Sequence, residues 1–335
     1  MKNPVPQTQR PTVLLIVMIA VVTPLIMHNA FWIDNSVLFA TFSLFALSVG
    51  MSYGQAGVLS IATGAFAAIG GFSSAIVTIH YDLSPYFGLL LSIAAPAILA
   101  YPTARIVTRL SPLPLSIATL VLSSIIEIAI REGGDFTGGY IGLSGIPPIP
   151  IASTPFSMHI LAWACVALVL FCYCNLMHSA FGRAVTTVRH DSLRAVADGV
   201  NVPSVLASFF AISAAVAGLG GWLYAHNLSY LGPDSLNVNV SMQVLLMAIV
   251  GGVRKPLGPV IGASLLLLIV SQLPAAETQG MVFGGALVLI LLVAPQGLIG
   301  GKLSSLWRRQ GDQKSSACED AREAALVAFN AGESS

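Results

Sequence analysis

The stretch HSAFGRAVTTVRHDSLRAVADGVNVPS, from His178 to Ser204, separates two long apolar runs. FSMHILAWACVALVLFCYCNLM (156–177) precedes it and VLASFFAISAAVAGLGGWLYAH (205–226) follows it. A helix needs about 20 apolar residues to cross the hydrocarbon core of a bilayer, so each run predicts one membrane span. The stretch between them carries several charges, which are costly among lipid tails, and must therefore project into water. We call it the polar island.

The composition extends this interpretation to the whole chain. Of its 335 residues, 56% are hydrophobic and only 9% are charged, whereas soluble domains carry about 25% charged residues. We therefore predict an all-α polytopic membrane protein with about 8–10 transmembrane helices, and no room for a soluble catalytic domain. Near the N-terminus, the apolar run from Thr12 to Met27 can extend to Ile33 and has no cleavage signal, which predicts an uncleaved first span. The four cysteines lack metal-ligand spacing, so no metal site is expected.

The basic residues predict the orientation, because cytoplasmic loops are enriched in Lys and Arg. They fall into groups at Lys2 and Arg10, Arg105 and Arg109, the polar island, Arg254 and Lys255, and the tail from Lys302 onward. If all groups share the inner face, an even number of crossings separates each pair. The spans that satisfy this rule are Thr12 to Ile33, two within Val37 to Ile79, Tyr86 to Ala104, Leu113 to Arg131, Phe156 to Met177, Val205 to His226, Val240 to Val253, Leu257 to Leu273 and Met281 to Leu298. Both termini are then cytoplasmic; residues 1–301 form the membrane domain and 302–335 a polar cytoplasmic tail.

Two regions, one in each half of the chain, do not read as plain spanning helices. Val37 to Ile79 is interrupted by glycines, and Val240 to Leu273 contains two short apolar runs around GGVRKPLGP. Such interrupted segments indicate broken or re-entrant helices that line a substrate path, although glycines also serve close helix packing. The candidate path residues are Tyr53, Gly54, Gln55, Gly57, Ser60, Gly64, Glu127, Gly251 and Gly252. Glu127 is the acidic residue well inside a span, and Arg131 lies at the spacing where the two pair.

A set of motifs in fixed order resembles a known family. The motifs are YGQAGVLSIATGAFAAIGGF (53–72), FTGGYIGLSGIPP (136–148), FGRA and RHD in the polar island, YAHNLSYLGPDS (224–235), VLLMAIVGGVRKPLGPVIGA (244–263) and APQGLIG (294–300). Together they resemble the permease subunit of bacterial branched-chain amino-acid ABC importers, of the second type in a heterodimeric permease pair. The resemblance covers roughly Leu38 to Gly301.

The resemblance implies that the polar island docks onto an ATPase subunit. Its candidate coupling residues are Gly182, Arg183, Ala184, Arg189, Asp191, Arg194, Ala195, Asp198 and Gly199. We expect one helix from Ala184 to Asp198, ended at Gly199, whose apolar residues Val185, Val188, Leu193 and Val196 enter a groove on the partner. The chain departs from the family pattern at Ser192 and Val196, where glutamates are usual.

The resemblance also implies the rest of the assembly. The expected partners are a second permease subunit, two ATP-binding subunits and a periplasmic solute-binding protein, in the bacterial inner membrane and without nucleic acid. ATP and magnesium would be bound by the ATPase subunits, and this chain would hold no cofactor and no catalytic residue. Within the family the solute is a branched-chain amino acid, or alternatively urea, an amide or a carboxylate. Since the spans hold so little charge, the route would bind its solute weakly, with helix N-termini facing the solute carboxylate.

Two other function classes remain open from the residues alone. An ion-coupled secondary carrier would also suit a bundle with broken helices, but such carriers use several intramembrane acids or histidines, and this chain offers Glu127. An intramembrane serine protease is suggested by GLSG at Gly142 to Gly145. Ser144 would then need a histidine partner, for which His159 and His226 are the candidates.

Overall fold

The computed structural model describes residues 10–26, 29–108, 112–272 and 284–285, and most of these residues are helical. The helices are α1 (Arg10–Ile26), α2 (Ala30–Val49), α3 (Thr63–His80), α4 (Pro85–Val107), α5 (Pro112–Arg131), α6 (Pro155–His178), α7 (Ala180–His190), α8 (Ser192–Ala197), α9 (Val202–Leu228), α10 (Val238–Gly251) and α11 (Gly258–Val270). A π-helical segment (Gly50–Gln55) continues α2, and two 3₁₀ turns (Gly134–Phe136 and Pro150–Ala152) lie between α5 and α6. Two short strands, β1 (Leu143–Ser144) and β2 (Tyr230–Leu231), pair antiparallel.

The helix lengths confirm an all-α polytopic membrane protein. Within the described residues, six helices are long and apolar enough to cross a bilayer: α2 with its π-helical extension, α3, α4, α5, α6 and α9. Helices α10 and α11 are apolar but shorter, as predicted for the interrupted region after Val240. The region from Val37 to Ile79 also forms two helices, as the parity of the basic groups requires.

The first predicted span, Thr12 to Ile33, is wrong as a single helix. Helix α1 ends at Ile26 and α2 begins at Ala30. Asn29 is the N-cap of α2, and its side chain accepts a hydrogen bond from the Phe31 N–H. This cap satisfies a donor that a continuous helix would have used itself, so the sequence to Ile33 belongs to the second helix. The predicted span Met281 to Leu298 and the tail lie outside the described residues, apart from 284–285.

Helix α9 lies in the centre of the bundle and packs against α2, α3 and α4. Small residues allow the closest of these approaches. A Cβ atom on Gly70 of α3 would overlap the backbone of Gly218 in α9, and one on Gly221 would overlap the carbonyl of Ala67. Small residues at such crossings let backbones approach closely, which is how helices gain packing energy in a membrane.

The two ends of the bundle differ in charge. At one end the Arg105 guanidinium donates to the Ser204 hydroxyl at 3.3 Å, and the Gln55 amide donates to the Arg254 carbonyl at 3.1 Å. Arg189 of the polar island bonds to the Gly54 carbonyl, next to Gln55. Together these bonds place the basic residues of α4, the polar island and the α10–α11 turn at the same end, as the sequence predicts. We call it the basic end.

The loop between α5 and α6 covers the opposite end and is fixed there. Strand β1 in this loop pairs with β2. The His226 Nδ1 lies 2.7 Å from the Pro147 carbonyl and so donates to it, which leaves Nε2 to accept from the Ser74 hydroxyl at 2.8 Å. His226 and His159 are each only 3% exposed. Both rings therefore lie inside the protein.

Candidate functional site

The polar island folds as two short helices, α7 and α8, and the predicted continuous helix from Ala184 to Asp198 is wrong. The break is at Asp191, whose backbone is extended (φ −154°) and whose side chain accepts hydrogen bonds from the N–H groups of Leu193 and Arg194. An aspartate in this position is a favourable N-cap, so it starts a new helix instead of continuing the old one. The end at Gly199 is confirmed: its φ is +80°, and the Val200 N–H bonds to the Ala195 carbonyl.

The apolar residues of the island do not form one docking face. Val185 and Val188 are buried within the protein, whereas Leu193 and Val196 are 82% and 61% exposed. The predicted four-residue docking set is therefore wrong for the two valines of α7, which attach the island to the membrane domain. The exposed pair on α8 is the surface that remains for a partner. We call Leu193 and Val196 the α8 ridge.

Arg189 joins the island to the end of a broken helix. Its guanidinium donates to the carbonyl of Gly54, in the last turn of the π-helical segment. Helix C-termini carry unsatisfied carbonyls and partial negative charge, so a cation is well placed there. Burial and the nearby Arg254 charge lower the pKa of the guanidinium, while Tyr53 opposes the shift. An arginine remains charged through such a change.

The two interrupted regions meet beside Arg189. A Cβ atom on Gly54 would overlap the Val253 carbonyl, and Gln55 bonds to the Arg254 carbonyl. Gly57 has a φ of +74° and lies against the Arg189 side chain. The candidate residues Gly54, Gln55 and Gly57 thus lie in one cluster with the α10–α11 turn.

The other island candidates have local roles. Gly182 packs on the backbone of Leu176 and Met177, Arg183 donates to the His178 carbonyl at 3.1 Å, and Ala195 is buried. Ala184 is partly exposed, and Arg194 and Asp198 are exposed. In the second interrupted region Gly251 packs against Gly258 and Gly262, and Gly252, with a φ of +104°, ends α10.

Two helix N-termini meet in the interior of the bundle. The Ser60 hydroxyl accepts from the Ala62 N–H at the start of α3, and the Gly64 N–H donates to the Ser241 hydroxyl at 2.9 Å. Helix α10 begins beside it, where Asn237 caps the Val240 N–H at 3.1 Å. At 1.5 Å per residue, this meeting point lies about 15 Å along α10 from the basic end. The candidates Ser60 and Gly64 are therefore brought to one interior site.

Helix α5 contributes a row of polar residues to the same site. The Thr119 hydroxyl accepts from the Ile61 N–H at 3.1 Å, and the Ser123 hydroxyl donates to the Ile61 carbonyl at 2.9 Å. Glu127 follows one turn further. We call Thr119, Ser123 and Glu127 the α5 polar stripe. Of these residues only Glu127 is predicted from the sequence, although the four-residue spacing of polar residues in an apolar helix is a usable signal.

An ion-pair cluster lies at the end of the polar stripe that is remote from the basic end. Arg131 contacts Glu127 at 2.8 Å, as predicted, and also Asp234 at 2.6 Å. Asp234 belongs to the segment between β2 and α10, so one guanidinium links two elements. A cavity of about 10 Å³ lies among Ser123, Glu127 and Asn237, which is room for about one water molecule. The space between these helices is thus closed to anything larger than a water molecule.

The residues proposed for a serine protease are not brought together. Ser144 lies in β1 and pairs with Tyr230. The His226 ring is occupied by Ser74 and Pro147, and the His159 Nε2 lies 3.2 Å from the Thr23 hydroxyl. Within the described residues, no hydrogen bond joins Ser144 to either histidine.

Comparison with known proteins gives consistent matches over most of the chain. The family described as "Branched-chain amino acid transport system / permease component" matches residues 32–292. The LivM high-affinity branched-chain amino acid transport permease of Salmonella typhimurium is 27% identical over 91% of this chain and 78% of its own length. The Escherichia coli LivM protein is 28% identical over 80% of this chain and 69% of its own length. A second kind of relative, the Salmonella typhimurium permease LivH, is 27% identical over 78% of this chain and 92% of its own length. No solved structure matches the chain significantly.

Proposed function

This chain belongs to the permease-component family of branched-chain amino acid transport systems, and from that premise we propose that it is a membrane-spanning subunit of an ABC importer for these amino acids. The named relatives support the solute class, since LivM and LivH are both high-affinity branched-chain amino acid permeases. As a multi-pass transport subunit, the chain is not an enzyme.

The observation that carries the proposal is the connection between the polar island and the broken helices. The α8 ridge offers an exposed apolar surface to a soluble partner. From the same island Arg189 reaches the end of the π-helical segment, which also touches the α10–α11 turn. A nucleotide-driven partner that binds the island differently in its two states would therefore act directly on the helices that line the route.

The arrangement of charge supports the rest of the assembly. The basic end would face the cytoplasm of a bacterial inner membrane, as would both termini and the tail from residue 302. Two ATP-binding subunits would dock there and hold the ATP and magnesium. The two kinds of permease relative support a second permease subunit beside this chain. A periplasmic binding protein would deliver the solute at the opposite end.

The interior site supports a small solute with a carboxylate. The N-termini of α3 and α10 meet there, and helix N-termini favour negative charge. The inner cluster from Tyr53 to Gly57, with Gly251 and Gly252, would form the exit of the same route. The route holds little fixed charge, which suits weak, transient binding, so most of the selectivity would reside in the binding protein.

Reconstitution into proteoliposomes tests the proposal. The chain is combined with its second permease subunit, the ATP-binding subunits and the binding protein, and uptake of labelled leucine, isoleucine and valine is measured. We expect uptake that requires both ATP and the binding protein, and that excess urea, amides or simple carboxylates do not inhibit. Uptake by this chain alone under an ion gradient would instead identify a secondary carrier. Strong inhibition by urea or an amide would show that the solute belongs to that class instead.

A further inference from the structure

We propose that the Glu127 carboxylate is the binding site for the ammonium group of the solute, and that Arg131 occupies this site when no solute is present. The inference rests on the proposed function and adds to it a recognition chemistry. The solute would then be a zwitterion with a primary ammonium group. This requirement distinguishes amino acids from urea, neutral amides and simple carboxylates.

Glu127 lies partly buried near the outer end of α5. Its side chain is only 21% exposed, and it lies four residues before the end of α5, which is about 6 Å inside the helix end. It lines the small closed cavity together with Ser123 of the polar stripe, Ala65 of α3 and Asn237 at the start of α10. The carboxylate therefore shares one enclosed space with residues of both helix N-termini. An α-amino acid carries its ammonium and carboxylate groups on one carbon, so the space that opens when Arg131 moves away would serve both.

The Glu127 carboxylate needs a cation beside it. A partly buried carboxylate that loses its partner is left uncompensated, which is strongly unfavourable. Arg131 supplies the partner in this closed arrangement at 2.8 Å. If the outer end opens and Arg131 moves away, another cation must replace it. A primary ammonium group carries the same charge and three hydrogen-bond donors, whereas urea and amides carry no charge.

Arg131 also contacts Asp234, which lies outside α5. Its 2.6 Å contact with Asp234 ties α5 to the segment that precedes α10. Besides this tie, α5 is held near its middle by hydrogen bonds to Ile61. The buried side chains of Ile126 and Ile130 pack its outer half against the bundle, while its other face is exposed. Displacement of Arg131 by the solute would remove the ion pair that fixes the outer end of α5. Binding of the correct solute and opening of the outer end would therefore occur together.

A measurement of passive leucine flux tests the inference without nucleotide. The complete complex is reconstituted, and labelled leucine is allowed to leave the vesicles in the absence of ATP. Arg131→Gln should raise this flux about tenfold, the equivalent of one charge-assisted hydrogen bond. The double variant Arg131→Gln with Glu127→Gln should return it to the level of vesicles without protein, because the ammonium site is lost. Glu132→Gln is the control, since it removes a neighbouring exposed acid that does not contact Arg131.

The outcomes separate the inference from the proposed function. A double variant that conducts as well as Arg131→Gln would show that Glu127 only anchors Arg131, and would overturn the inference. An unchanged flux in an assembled Arg131→Gln complex would overturn it as well. If that variant does not assemble, Asp234→Asn removes one arm of the cluster without changing α5, and its flux must still rise. Wild-type uptake driven by ATP is measured in parallel, and its absence would refute the proposed function itself.

Discussion

Replacing Arg189 by glutamine should uncouple ATP hydrolysis from transport while the ATPase subunits remain bound. Within the polar island, the surface left for a partner and the contact with the membrane helices belong to different residues. The α8 ridge is exposed and free for a partner, whereas Arg189 points inward to the Gly54 carbonyl. The substitution thus removes the connection to the membrane helices and leaves the docking surface unchanged.

The expected size of the coupling defect follows from the hydrogen bond that is lost. A hydrogen bond from a charged donor contributes about 1.5 to 3 kcal/mol, and each 1.4 kcal/mol changes an equilibrium about tenfold. The equilibrium between the two permease states should therefore become about ten to a hundred times less sensitive to the ATPase subunits. Arg189→Lys keeps the charge but loses the planar donor group, so it should show a smaller defect.

The assay is the ratio of leucine molecules transported to ATP molecules hydrolysed in proteoliposomes. It is accompanied by a titration of the ATPase subunits against each permease variant. Arg189→Gln should lower the ratio at least tenfold, with no change in ATPase affinity. Arg105→Gln is the matched control, because it removes one arginine from the same end, where Arg105 contacts Ser204 of α9 and not the broken helix. An Arg189→Gln complex that transports with the wild-type ratio would refute this reasoning.

Three further predictions concern the docking surface, the interior site and the orientation. Exchanging Leu193 and Val196 for serine should weaken ATPase binding by about 2 to 4 kcal/mol if both are buried in the complex; an unchanged affinity in the titration would exclude the α8 ridge as the contact. Gly64→Ala places a Cβ atom against the Ser241 hydroxyl and should cost about 1 to 3 kcal/mol in thermal unfolding experiments, so an unaltered melting temperature would contradict the close approach of α3 and α10. Cysteines introduced by Ser144→Cys and Ser192→Cys should react with an impermeant thiol reagent from opposite sides of the membrane, and labelling of both from one side would overturn the assigned orientation.

The sequence predicts the long elements well because their signals are local. Apolar runs of spanning length correspond to α4, α5, α6 and α9, and the parity of the basic groups correctly divided the glycine-rich region into two helices. The predicted helix boundaries were wrong where one polar side chain caps a new helix and so ends the old one. Asn29 and Asp191 each cap a new helix, and neither break was predicted. An asparagine or aspartate can face solvent from within a helix or cap the next one, and the surrounding structure decides between these states.

The site was predictable only in part, for a related reason. Glu127 and Arg131 lie four residues apart on one helix, so their pairing could be predicted from spacing alone. Asp234 lies 103 residues further along the chain, and no local pattern connects it with Arg131. The same holds for Arg189 and Gly54, where the acceptor is a backbone carbonyl that any residue type supplies. Contacts of this kind depend on tertiary packing, which a single sequence does not reveal.

Helix α10 physically connects the two clusters that the predictions address. Its end at the α10–α11 turn adjoins Gly54, to which Arg189 is bonded, and its start at Asn237 adjoins Gly64 and follows Asp234 closely. The helix has 14 residues and so measures about 21 Å. A short, well-packed helix moves as a unit, so a displacement at the Arg189 cluster would reach the Arg131 cluster without a change in α10 itself. Coupling through such an element requires that both ends have two discrete arrangements. The two groups that would provide them are Arg131, which is either bonded to Glu127 and Asp234 or displaced by the solute, and Arg189, which is either bonded to Gly54 or released.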